Sequence, residues 1–329
     1  MKKFSWEGKR VLVTGADGFM GSHLTERLIQ SGAKVLVYVR GTSNSGTVQY
    51  KLKNIFHIKE KIAKIITGNI AIRDSIDFIK KAKPDIIFHL AADAYVPNSF
   101  DHPMEVMETN LIGTLNVLHA SMEIENIERI VCTSSSEVYG NPVYVPMDER
   151  HPLNPAHPYG ASKVAADRYA FAYYNTYNLP ISIIRPFNTY GPRHTYDVIP
   201  KFIRLALRNE PITIYGAGTQ TRDFTYVNDM IDAFIIMGSD KKAIGETVNF
   251  GTSIDVSMND IAKKIVKISE SSSKIVHMEK RTSEVKRLCC DYGKAKKLFG
   301  WAPKILINEG LKRNIEWEKE RLNDKWIKK

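Results

Sequence analysis

The chain has 329 residues, of which 43% are hydrophobic and 25% charged, with 20 glycines and 14 prolines. These values are those of a globular protein and exclude a collagen-like, low-complexity or disordered chain. Lysine and arginine (47) outnumber aspartate and glutamate (36), which gives a formal net charge of +11. Much of the positive surplus lies in residues 294–329, where glutamates and lysines alternate as on a solvated helix face. We therefore predict no nucleic-acid partner.

Short apolar runs rich in β-branched residues alternate with amphipathic stretches up to residue 187, which is typical of parallel strands joined by crossover helices. Continuous apolar runs fit strands that are covered on both faces. The fold class is therefore predicted to be α/β, a doubly wound parallel sheet. The predicted strands are residues 10–14, 34–39, 63–67, 85–90, 129–134 and 181–187, and the predicted helices include 19–31, 104–122 and 159–177.

The pattern changes after residue 187 to loops punctuated by proline and glycine, with shorter helices between them. A helix at 227–237 and a strand at 246–250 are expected to rejoin the sheet. We therefore predict two domains, a sheet domain and a smaller C-terminal lobe. Their boundaries are 1–187 with 227–251 for the sheet domain and 188–226 with 252–329 for the lobe.

The first strand leads directly into a glycine-rich turn at the start of a helix, with Gly15, Gly18 and Gly21. Glycine suits such a turn because it adopts positive φ and lets the backbone approach a pyrophosphate. The N-terminus of the following helix attracts the same anion. The turn therefore predicts a bound dinucleotide.

The end of the second strand indicates which dinucleotide binds. When the cofactor is NAD, an acidic residue about 20 residues past the glycines usually binds the ribose. This chain has Arg40, Ser43 and Ser45 there, and no acidic residue between Glu26 and Glu60. Because a guanidinium and hydroxyls can receive a 2′-phosphate, NADP is favoured. NAD is the alternative, with Arg40 then a solvated loop residue.

Hydroxyl groups and one carboxylate follow the fifth strand, where Ser135 and Glu137 stand at the edge at which such sheets bind ligands. Tyr159 and Lys163 are spaced i and i+4 on a predicted helix, so they share a face. A nearby ammonium favours phenolate, so we expect Lys163 to lower the pKa of Tyr159 from about 10 toward neutrality, as a base for an alcohol requires. Ser135 is expected to hydrogen-bond the same substrate oxygen.

These motifs, in this order, resemble the extended short-chain dehydrogenase/reductases that modify nucleotide-activated sugars. The resemblance covers about residues 8–320 and implies a Rossmann sheet with a smaller C-terminal substrate-binding lobe. It also implies that Ser135, Tyr159 and Lys163 are the catalytic triad. The motifs are the glycine turn, His89-Leu90-Ala91-Ala92, the serine-rich strand end, Tyr159-x-x-x-Lys163, residues 185–192 (RPFNTYGP) and Arg222-Asp223-Phe224.

The resemblance further assigns residues to the two ligands. The cofactor is implied to bind at Gly15, Asp17, Gly18, Phe19, Met20, Gly21, Arg40, Asn69, Ile70, Leu90, Ala91, Ala92, Asn110, Tyr159 and Lys163. A nucleotide-diphosphate sugar, expected to be a GDP-sugar, is implied to bind at Ser99, Ser136, Asn188, Arg193, Arg222, Arg281 and Glu284.

The family includes 4-epimerases, 4,6-dehydratases, uronate decarboxylases and C4 oxidases, all of which begin with hydride transfer from sugar C4. Elimination of water across C5 and C6 needs a second base. Glu137 is the candidate, since two residues past Ser135 in an extended segment it points to the same side. Residues 135–140 (SSEVYG) resemble the TSELYG of GDP-mannose 4,6-dehydratases, so a 4,6-dehydratase making a 4-keto-6-deoxy product is the first hypothesis.

Several alternatives to the dehydratase remain. They are a 4-epimerase or C4 dehydrogenase, then a UDP-glucuronate-type decarboxylase, whose motif is also similar. From a different class comes a non-catalytic nucleotide-sugar or redox-sensing module, against which the intact Ser135, Tyr159 and Lys163 argue.

The remaining expectations concern assembly and location. In the family, helices matching 104–122 and 159–177 form a four-helix bundle between subunits, so the resemblance implies a homodimer, with a tetramer as the larger alternative. Three cysteines and the absence of a signal-peptide core or a long apolar stretch predict a cytoplasmic protein without a membrane partner. The nine histidines lack metal-ligand spacing, so no metal is expected, and His89 is expected to be a hydrogen-bonded core residue.

Overall fold

The structure is a computed structural model and describes residues 4–40, 52–280 and 285–323. The strands of these residues, numbered in chain order, are β1 (Arg10–Thr14), β2 (Lys34–Val39), β3 (Lys64–Thr67), β4 (Ile86–His89), β5 (Arg129–Thr133), β6 (Ile181–Pro186), β7 (Asn188–Tyr190), β8 (Ile212–Tyr215), β9 (Thr221–Tyr226), β10 (Thr247–Phe250), β11 (Asp255–Ser257), β12 (Ile275–Met278) and β13 (Arg287–Leu288). The α-helices are α1 (Phe19–Gln30), α2 (Asp74–Ala82), α3 (Asn98–Asp101), α4 (Pro103–Met107), α5 (Gly113–Met122), α6 (Pro158–Tyr177), α7 (Val198–Leu207), α8 (Val227–Ser239), α9 (Met258–Ser269), α10 (Gly293–Phe299) and α11 (Ile307–Asn323).

A seven-stranded sheet of order β3-β2-β1-β4-β5-β6-β10 forms the centre of the fold, and all its neighbouring strands are parallel. The chain runs outward in one direction through β1, β2 and β3 and in the other from β4 onward. In such sheets ligands bind beside the carboxyl ends of the strands, where the order reverses. The predicted α/β class and doubly wound sheet are confirmed.

Helices cover both faces of this sheet because its strands are apolar on both faces. Val11 and Val13 pack into one buried cluster with residues of α1 and α8. Leu12, between them, belongs to a second cluster with residues of α2, α5 and α6. Successive strand side chains point to opposite faces, so a continuous apolar run needs cover on both sides.

Two smaller sheets follow the main one in the C-terminal part of the chain. In the first, β9 pairs with β7, β11 and β13, and in the second β8 pairs with β12. The chain returns to the main sheet through β10, which pairs with β6, as predicted for 246–250. Among the described residues, none of the helices combines the length and the apolarity that crossing a membrane requires.

The helix predicted over 104–122 is interrupted. A five-residue π-helical segment, Glu108–Ile112, separates α4 from α5. It contains Asn110, whose buried amide accepts from the backbone N–H of Asp93 at 2.8 Å and donates to the hydroxyl of Ser162 at 3.0 Å. The wider turn therefore holds the loop after β4 against α6. Apolar periodicity does not reveal such an insertion.

His89, at the end of β4, is hydrogen-bonded through both ring nitrogens. Its Nδ1 lies 2.8 Å from Thr14 Oγ1, which accepts from the backbone N–H of Ala91, and its Nε2 lies 3.0 Å from Thr114 Oγ1. Because Thr114 donates its one hydroxyl proton to the carbonyl of Asn110, Nε2 carries the ring proton. The expected core histidine is confirmed, and it joins β1, β4 and α5.

This environment predicts a pH-dependent contribution to stability. Burial, with a smaller effect of the Lys163 charge, lowers the pKa of His89 from 6.5 to about 3. A folded-state pKa below the unfolded value means that the stabilisation is complete above pH ~6.5 and is lost as the pH falls toward ~3. Relative to His89→Gln, the unfolding free energy of the wild type should fall by about 1.4 kcal/mol per pH unit across that window.

Denaturant unfolding of both proteins across this window measures the difference, with the exposed His277→Gln as the matched control. A difference between wild type and His89→Gln that stays constant with pH contradicts the expectation.

Candidate active site

A cavity of about 920 Å³ opens at the carboxyl edge of the main sheet and is also lined by residues of β7, α7, β8 and β9. Its volume is within the range of roughly 300–1,000 Å³ that is usual for small-molecule sites. Ser135, Glu137, Tyr159 and Lys163 all line it. The structure thus brings the four predicted catalytic residues together around one space.

The start of α6 places Tyr159 and Lys163 in this cavity. The helix begins at Pro158, and the preceding residue, His157, is its N-cap, whose Nδ1 accepts from the backbone N–H of Gly160 at 3.1 Å. Lys163 is buried, and its Nζ donates to the carbonyl of Thr133 at 2.8 Å. The ammonium is therefore anchored to the end of β5.

The prediction that the pKa of Tyr159 is lowered is wrong when only the groups of the protein itself act on the phenol. Burial raises the pKa of Tyr159 well above its ordinary value, a hydrogen bond with Ser135 opposes that rise, and the negative charge of Glu137 adds to it. Burial also lowers the pKa of Lys163 to about 8. Sharing a helix face was not sufficient, because Lys163 donates to the carbonyl of Thr133 and burial is the largest effect on the pKa of Tyr159.

Glu137 reaches the cavity by a route that differs from the predicted one. The segment after Ser135 is not extended, since Ser136–Val138 form a 3₁₀ turn in which the Ser135 hydroxyl accepts from the backbone N–H of Glu137 at 3.2 Å. Ser135 and Glu137 nevertheless line the same cavity, and so does Ser136. The one hydroxyl proton of Ser135 is not used in that bond, so it can be donated, and Tyr159 is its partner in the cavity.

The Glu137 carboxylate is held in its ionised form. Its Oε2 lies 3.1 Å from Nε2 of His157, and the side chains are 12% and 3% exposed. Burial alone would raise the pKa of Glu137, but the hydrogen bond from His157 and the positive charge of Arg222 hold it below its ordinary value. Near neutral pH the residue is a buried carboxylate that can accept a proton.

The glycine turn fits a dinucleotide pyrophosphate. Gly15 has φ +69°, and a Cβ there would lie 2.8 Å from the backbone nitrogen of Ala91; a Cβ on Gly21 would lie 2.2 Å from the carbonyl oxygen of Gly15. Gly18 is the N-cap of α1, with no side-chain cap and no acidic residue in the first turn. The first amides of α1 are therefore left to an anion.

The other residues predicted at the cofactor take different places. Phe19, Met20, Leu90 and Ala92 line the cavity. Ala91 packs against Gly15, and Ile70 is buried. Arg40 is exposed at the end of β2. The side chain of Asn69 accepts a hydrogen bond from the backbone N–H of Ala71, and Asn110 makes the hydrogen bonds to Asp93 and Ser162 described above.

Asp17 is turned toward the protein. Its carboxylate accepts from the backbone N–H groups of Lys53 and Asn54 at 3.1 and 2.8 Å, and burial raises its pKa to about 6. The side chain therefore holds the segment that follows β2 against the glycine turn.

The residues predicted at the substrate divide into two groups. Asn188, Arg222 and Ser136 line the cavity, and Oδ1 of Asn188 is buried with no hydrogen-bond partner among the described residues. Such an orphaned acceptor beside a cavity is suited to a ligand donor. Ser99 does not line the cavity; it is buried and donates to the carbonyl of Val96 at 2.7 Å. Arg281 and Glu284 lie outside the described residues.

Arg193 also lies away from the cavity lining. Its guanidinium donates to Glu26 of α1 at 2.7 Å. Next to it, the His194 ring stacks on Phe19 with ring centroids 4.5 Å apart. The loop after β7 is thus fastened to the helix that begins at the glycine turn.

Several cavity residues were missed by the sequence reasoning. All but Lys201, which lies on α7, come from loops, and they are His157, Tyr95, Tyr196, Asp197, Lys201 and Lys280. Lys201 donates to Thr213 Oγ1 at 2.8 Å. A lysine among the apolar residues of α7 was the one feature of the sequence that could have indicated its place in the cavity. Across the described ranges, no group of three or more His, Cys, Asp or Glu side chains is arranged to hold a metal ion.

Known proteins share both this fold and this sequence pattern. Residues 12–314 match the family model described as GDP-mannose 4,6 dehydratase. The chain is 34% identical to dTDP-D-glucose 4,6-dehydratase of Homo sapiens, over 96% of this chain and 91% of the relative, and 34% identical to UDP-N-acetyl-alpha-D-glucosaminuronate decarboxylase of Bacillus cytotoxicus, over 96% and 99%. The solved structure of UDP-glucuronic acid 4-epimerase from Bacillus cereus, in complex with UDP-glucuronic acid and NAD, is similar with a TM-score of 0.87 at 29% identity, covering 95% of this chain and 99% of that one.

The fold and the site are thus those of an enzyme that modifies nucleotide sugars. The chain belongs to the nucleotide-sugar epimerase/dehydratase family of the extended short-chain dehydrogenase/reductases, as the sequence resemblance indicated. The names of the similar proteins include a dehydratase, a decarboxylase and an epimerase, so membership leaves the reaction open.

Proposed function

We propose that the protein is a nucleotide-sugar 4,6-dehydratase. It oxidises sugar C4, eliminates water across C5 and C6, and reduces C6 with the hydride taken from C4, which gives a 4-keto-6-deoxy sugar nucleotide. The observation that carries this proposal is the ionised Glu137 carboxylate in the cavity that Tyr159 and Lys163 line. Oxidation alone does not require a second base, whereas elimination does.

The residues at the glycine turn fit a nicotinamide dinucleotide, which we propose is held by the amides at the start of α1 and by Phe19, Met20, Leu90 and Ala92. The nicotinamide supplies a hydride acceptor for sugar C4, and a positive charge that favours the Tyr159 phenolate. Tyr159 takes the proton of the 4-hydroxyl. Ser135 donates its remaining hydroxyl proton to the same oxygen, and Lys163 stabilises the phenolate.

In the second step Glu137 acts on the 4-keto sugar. The ketone acidifies the C5 proton, which Glu137 removes, so that a C5–C6 double bond forms while the C6–O bond breaks. The proton on Glu137 then leaves with the departing hydroxide as water, and the carboxylate is regenerated. Ser136, whose hydroxyl is a poor acid, offers no alternative donor at this position, so Glu137 serves first as base and then as acid.

In the third step the C5–C6 double bond would be reduced. C6 would receive back the hydride removed from C4, and C5 a proton that balances the one Tyr159 took from the 4-hydroxyl, so that the cofactor ends each turnover oxidised.

For the substrate we propose a nucleotide-diphosphate sugar. Its diphosphate would bind to Arg222, Lys201 and Lys280, three of the cations that line the cavity, and the Asn188 amide would accept a ligand donor. The relatives named for UDP- and dTDP-sugars support a pyrimidine nucleotide, whereas the resemblance to GDP-mannose enzymes suggested GDP.

A 4-epimerase is the second candidate. The similarity to a solved UDP-glucuronic acid 4-epimerase favours it, because that reaction needs Tyr159 but no elimination. A decarboxylase is favoured less. Its support is the similarity to UDP-N-acetyl-alpha-D-glucosaminuronate decarboxylase of Bacillus cytotoxicus, but loss of carbon dioxide from a 4-keto uronate needs no base at C5 and so leaves the Glu137 carboxylate without a role.

Product analysis tests the proposed function. UDP-, dTDP- and GDP-hexoses are first screened by thermal shift, and those that bind are incubated with the enzyme and examined by mass spectrometry. The proposal predicts the loss of one water without net accumulation of reduced cofactor. Binding followed only by conversion to an isomer of unchanged mass would support the epimerase instead.

Arg40 provides a test of cofactor choice. The NAD bound to the Bacillus cereus relative supports NAD, whereas the exposed Arg40 and the lack of a nearby carboxylate in the sequence favour NADP. If Arg40 binds the 2′-phosphate, Arg40→Ala should weaken NADP about 10- to 100-fold and leave NAD within about twofold.

Fluorescence titration of nucleotide-free protein with both cofactors measures this, and the exposed Lys34→Ala at the opposite end of β2 is the control. An NAD affinity that exceeds that of NADP and is unaffected by Arg40→Ala would remove Arg40 from cofactor recognition.

We also propose the homodimer that the resemblance implied. Tyr169 and Tyr177 are exposed, and with the half-buried Tyr173 between them at i, i+4 spacing they form an aromatic stripe along α6. Met122 is exposed at the end of α5. Exposed aromatic clusters of this kind are usual where proteins associate.

A further inference from the structure

His157 touches two parts of the candidate site with one ring. Its Nδ1 accepts from the backbone N–H of Gly160 in the first turn of α6, and its Nε2 lies 3.1 Å from Oε2 of Glu137. The ring also runs nearly parallel to that of Tyr159, at 6.0 Å between centroids and 23° between planes, and meets the edge of Phe100. It is 3% exposed and lines the cavity.

The contact with Gly160 determines which ring nitrogen carries the proton. A backbone N–H can only donate, so Nδ1 must keep its lone pair. The proton of the neutral ring is therefore on Nε2, and the contact with Glu137 is a hydrogen bond donated by His157. A second proton on Nδ1 would break the cap of α6. His157 is thus a fixed donor to Glu137 and is not an acceptor for the proton that Glu137 takes up.

The choice of histidine at an N-cap also needs a reason. Serine, threonine, aspartate and asparagine are the residues that best cap a helix. Capping alone would therefore be served by a smaller side chain. The imidazole differs from them in that its far nitrogen reaches a second group, and in this chain that group is the Glu137 carboxylate.

We propose that His157 is a positioning residue for the second chemical step, since its ring fixes Oε2 of Glu137 and leaves Oε1 to take the sugar proton. Oε1 accepts no hydrogen bond from any residue in the described part of the chain, which agrees with one oxygen being held by His157 and the other being left for the sugar proton. Because the same ring caps α6, the base for C5 is held in register with the helix that carries Tyr159 and Lys163. This inference rests on the proposed dehydratase function.

Two groups facing Glu137 oppose its protonation, His157 at the N-cap of α6 and Arg222 of β9. Tyr159, at the start of α6, also faces Glu137, and the carboxylate charge raises the pKa of that phenol. The hydrogen bond from His157 and the charge of Arg222 lower the pKa of Glu137 against the effect of burial. Removing the donated hydrogen bond should therefore raise the pH below which elimination fails.

Two substitutions separate the cap from the donor. In His157→Asn, the side-chain oxygen can occupy the place of Nδ1 and cap Gly160, but the side chain is too short to donate to Glu137. In His157→Gln, the amide nitrogen can occupy the place of Nε2 and donate to Glu137. Thermal unfolding of both variants checks that the fold is kept.

For His157→Asn we expect elimination to slow on the order of 10- to 100-fold, with KM and single-turnover C4 oxidation nearly unchanged and the acidic limb of the kcat/KM profile moved to higher pH. His157→Gln should restore much of the rate and the position of that limb. A wild-type rate and pH profile in His157→Asn would overturn the proposal, and so would an equal loss of rate in both variants. If the wild type itself eliminates no water from any nucleotide-hexose, the proposed function has failed, and the two failures are thereby distinguished.

Discussion

Tyr159→Phe is expected to lower kcat by about 10³- to 10⁴-fold, because it removes the group that takes the proton of the 4-hydroxyl. Substrate binding should change by no more than about threefold, since the ring and its packing remain. The loss should be equal for C4 oxidation and for the complete reaction, because both begin with this proton transfer. Single-turnover reduction of the cofactor and steady-state product formation measure the two quantities.

The control is Tyr169→Phe, on the same helix but 47% exposed, which should keep full activity. Retention of more than about a tenth of wild-type C4 oxidation in Tyr159→Phe contradicts its role as the base.

Glu137→Gln is expected to separate the two chemical steps. Elimination should fall by about 10²- to 10⁴-fold, because an amide cannot take the C5 proton. The fold should persist, since the side-chain oxygen of glutamine can still accept from Nε2 of His157. C4 oxidation continues, so the 4-keto sugar and reduced cofactor should accumulate. Mass spectrometry of the sugar nucleotide, together with absorbance of the reduced nicotinamide, follows both.

Glu125→Gln, at an exposed position before β5, is the matched control and should leave both steps intact. Full dehydratase activity in Glu137→Gln would remove this residue from the mechanism, and loss of C4 oxidation as well would point to a structural role.

The central sheet could be predicted from the sequence because each of its strands is a short apolar run. Such runs need cover on both faces, and the alternation of runs and amphipathic stretches left few arrangements other than a doubly wound sheet. The helix starting at Phe19 was also predictable, since the glycine turn marks its beginning. The π-helical segment Glu108–Ile112 was not, because the side-chain bonds of Asn110 that accompany it join residues distant in sequence.

The site was predictable where its chemistry lies in contiguous motifs. Ser135, Glu137, Tyr159 and Lys163 were found in that way, although the turn that brings Glu137 to the cavity was not. Lys201 and Tyr196 come from the second part of the chain, and their place in the cavity that Tyr159 lines depends on tertiary packing. Arg193 shows the reverse case, since a motif position placed it near substrate and packing paired it with Glu26.

The pKa of Tyr159 could not be predicted from the spacing of Tyr159 and Lys163 in the sequence. An i, i+4 pair predicts that two side chains share a helix face but not where the ammonium points. In the structure Lys163 donates to the carbonyl of Thr133, and burial raises the pKa of the phenol. Lowering the pKa of Tyr159, as catalysis requires, therefore needs a further positive charge, which the proposed nicotinamide would supply.

The most direct test uses a nucleotide-hexose that carries deuterium at sugar C4. If Tyr159 and Glu137 act in sequence within one cavity, the product has lost one water and holds the deuterium at C6, because the hydride taken from C4 is returned in the same turnover. A product of unchanged mass with its deuterium still at C4 would contradict the dehydratase account.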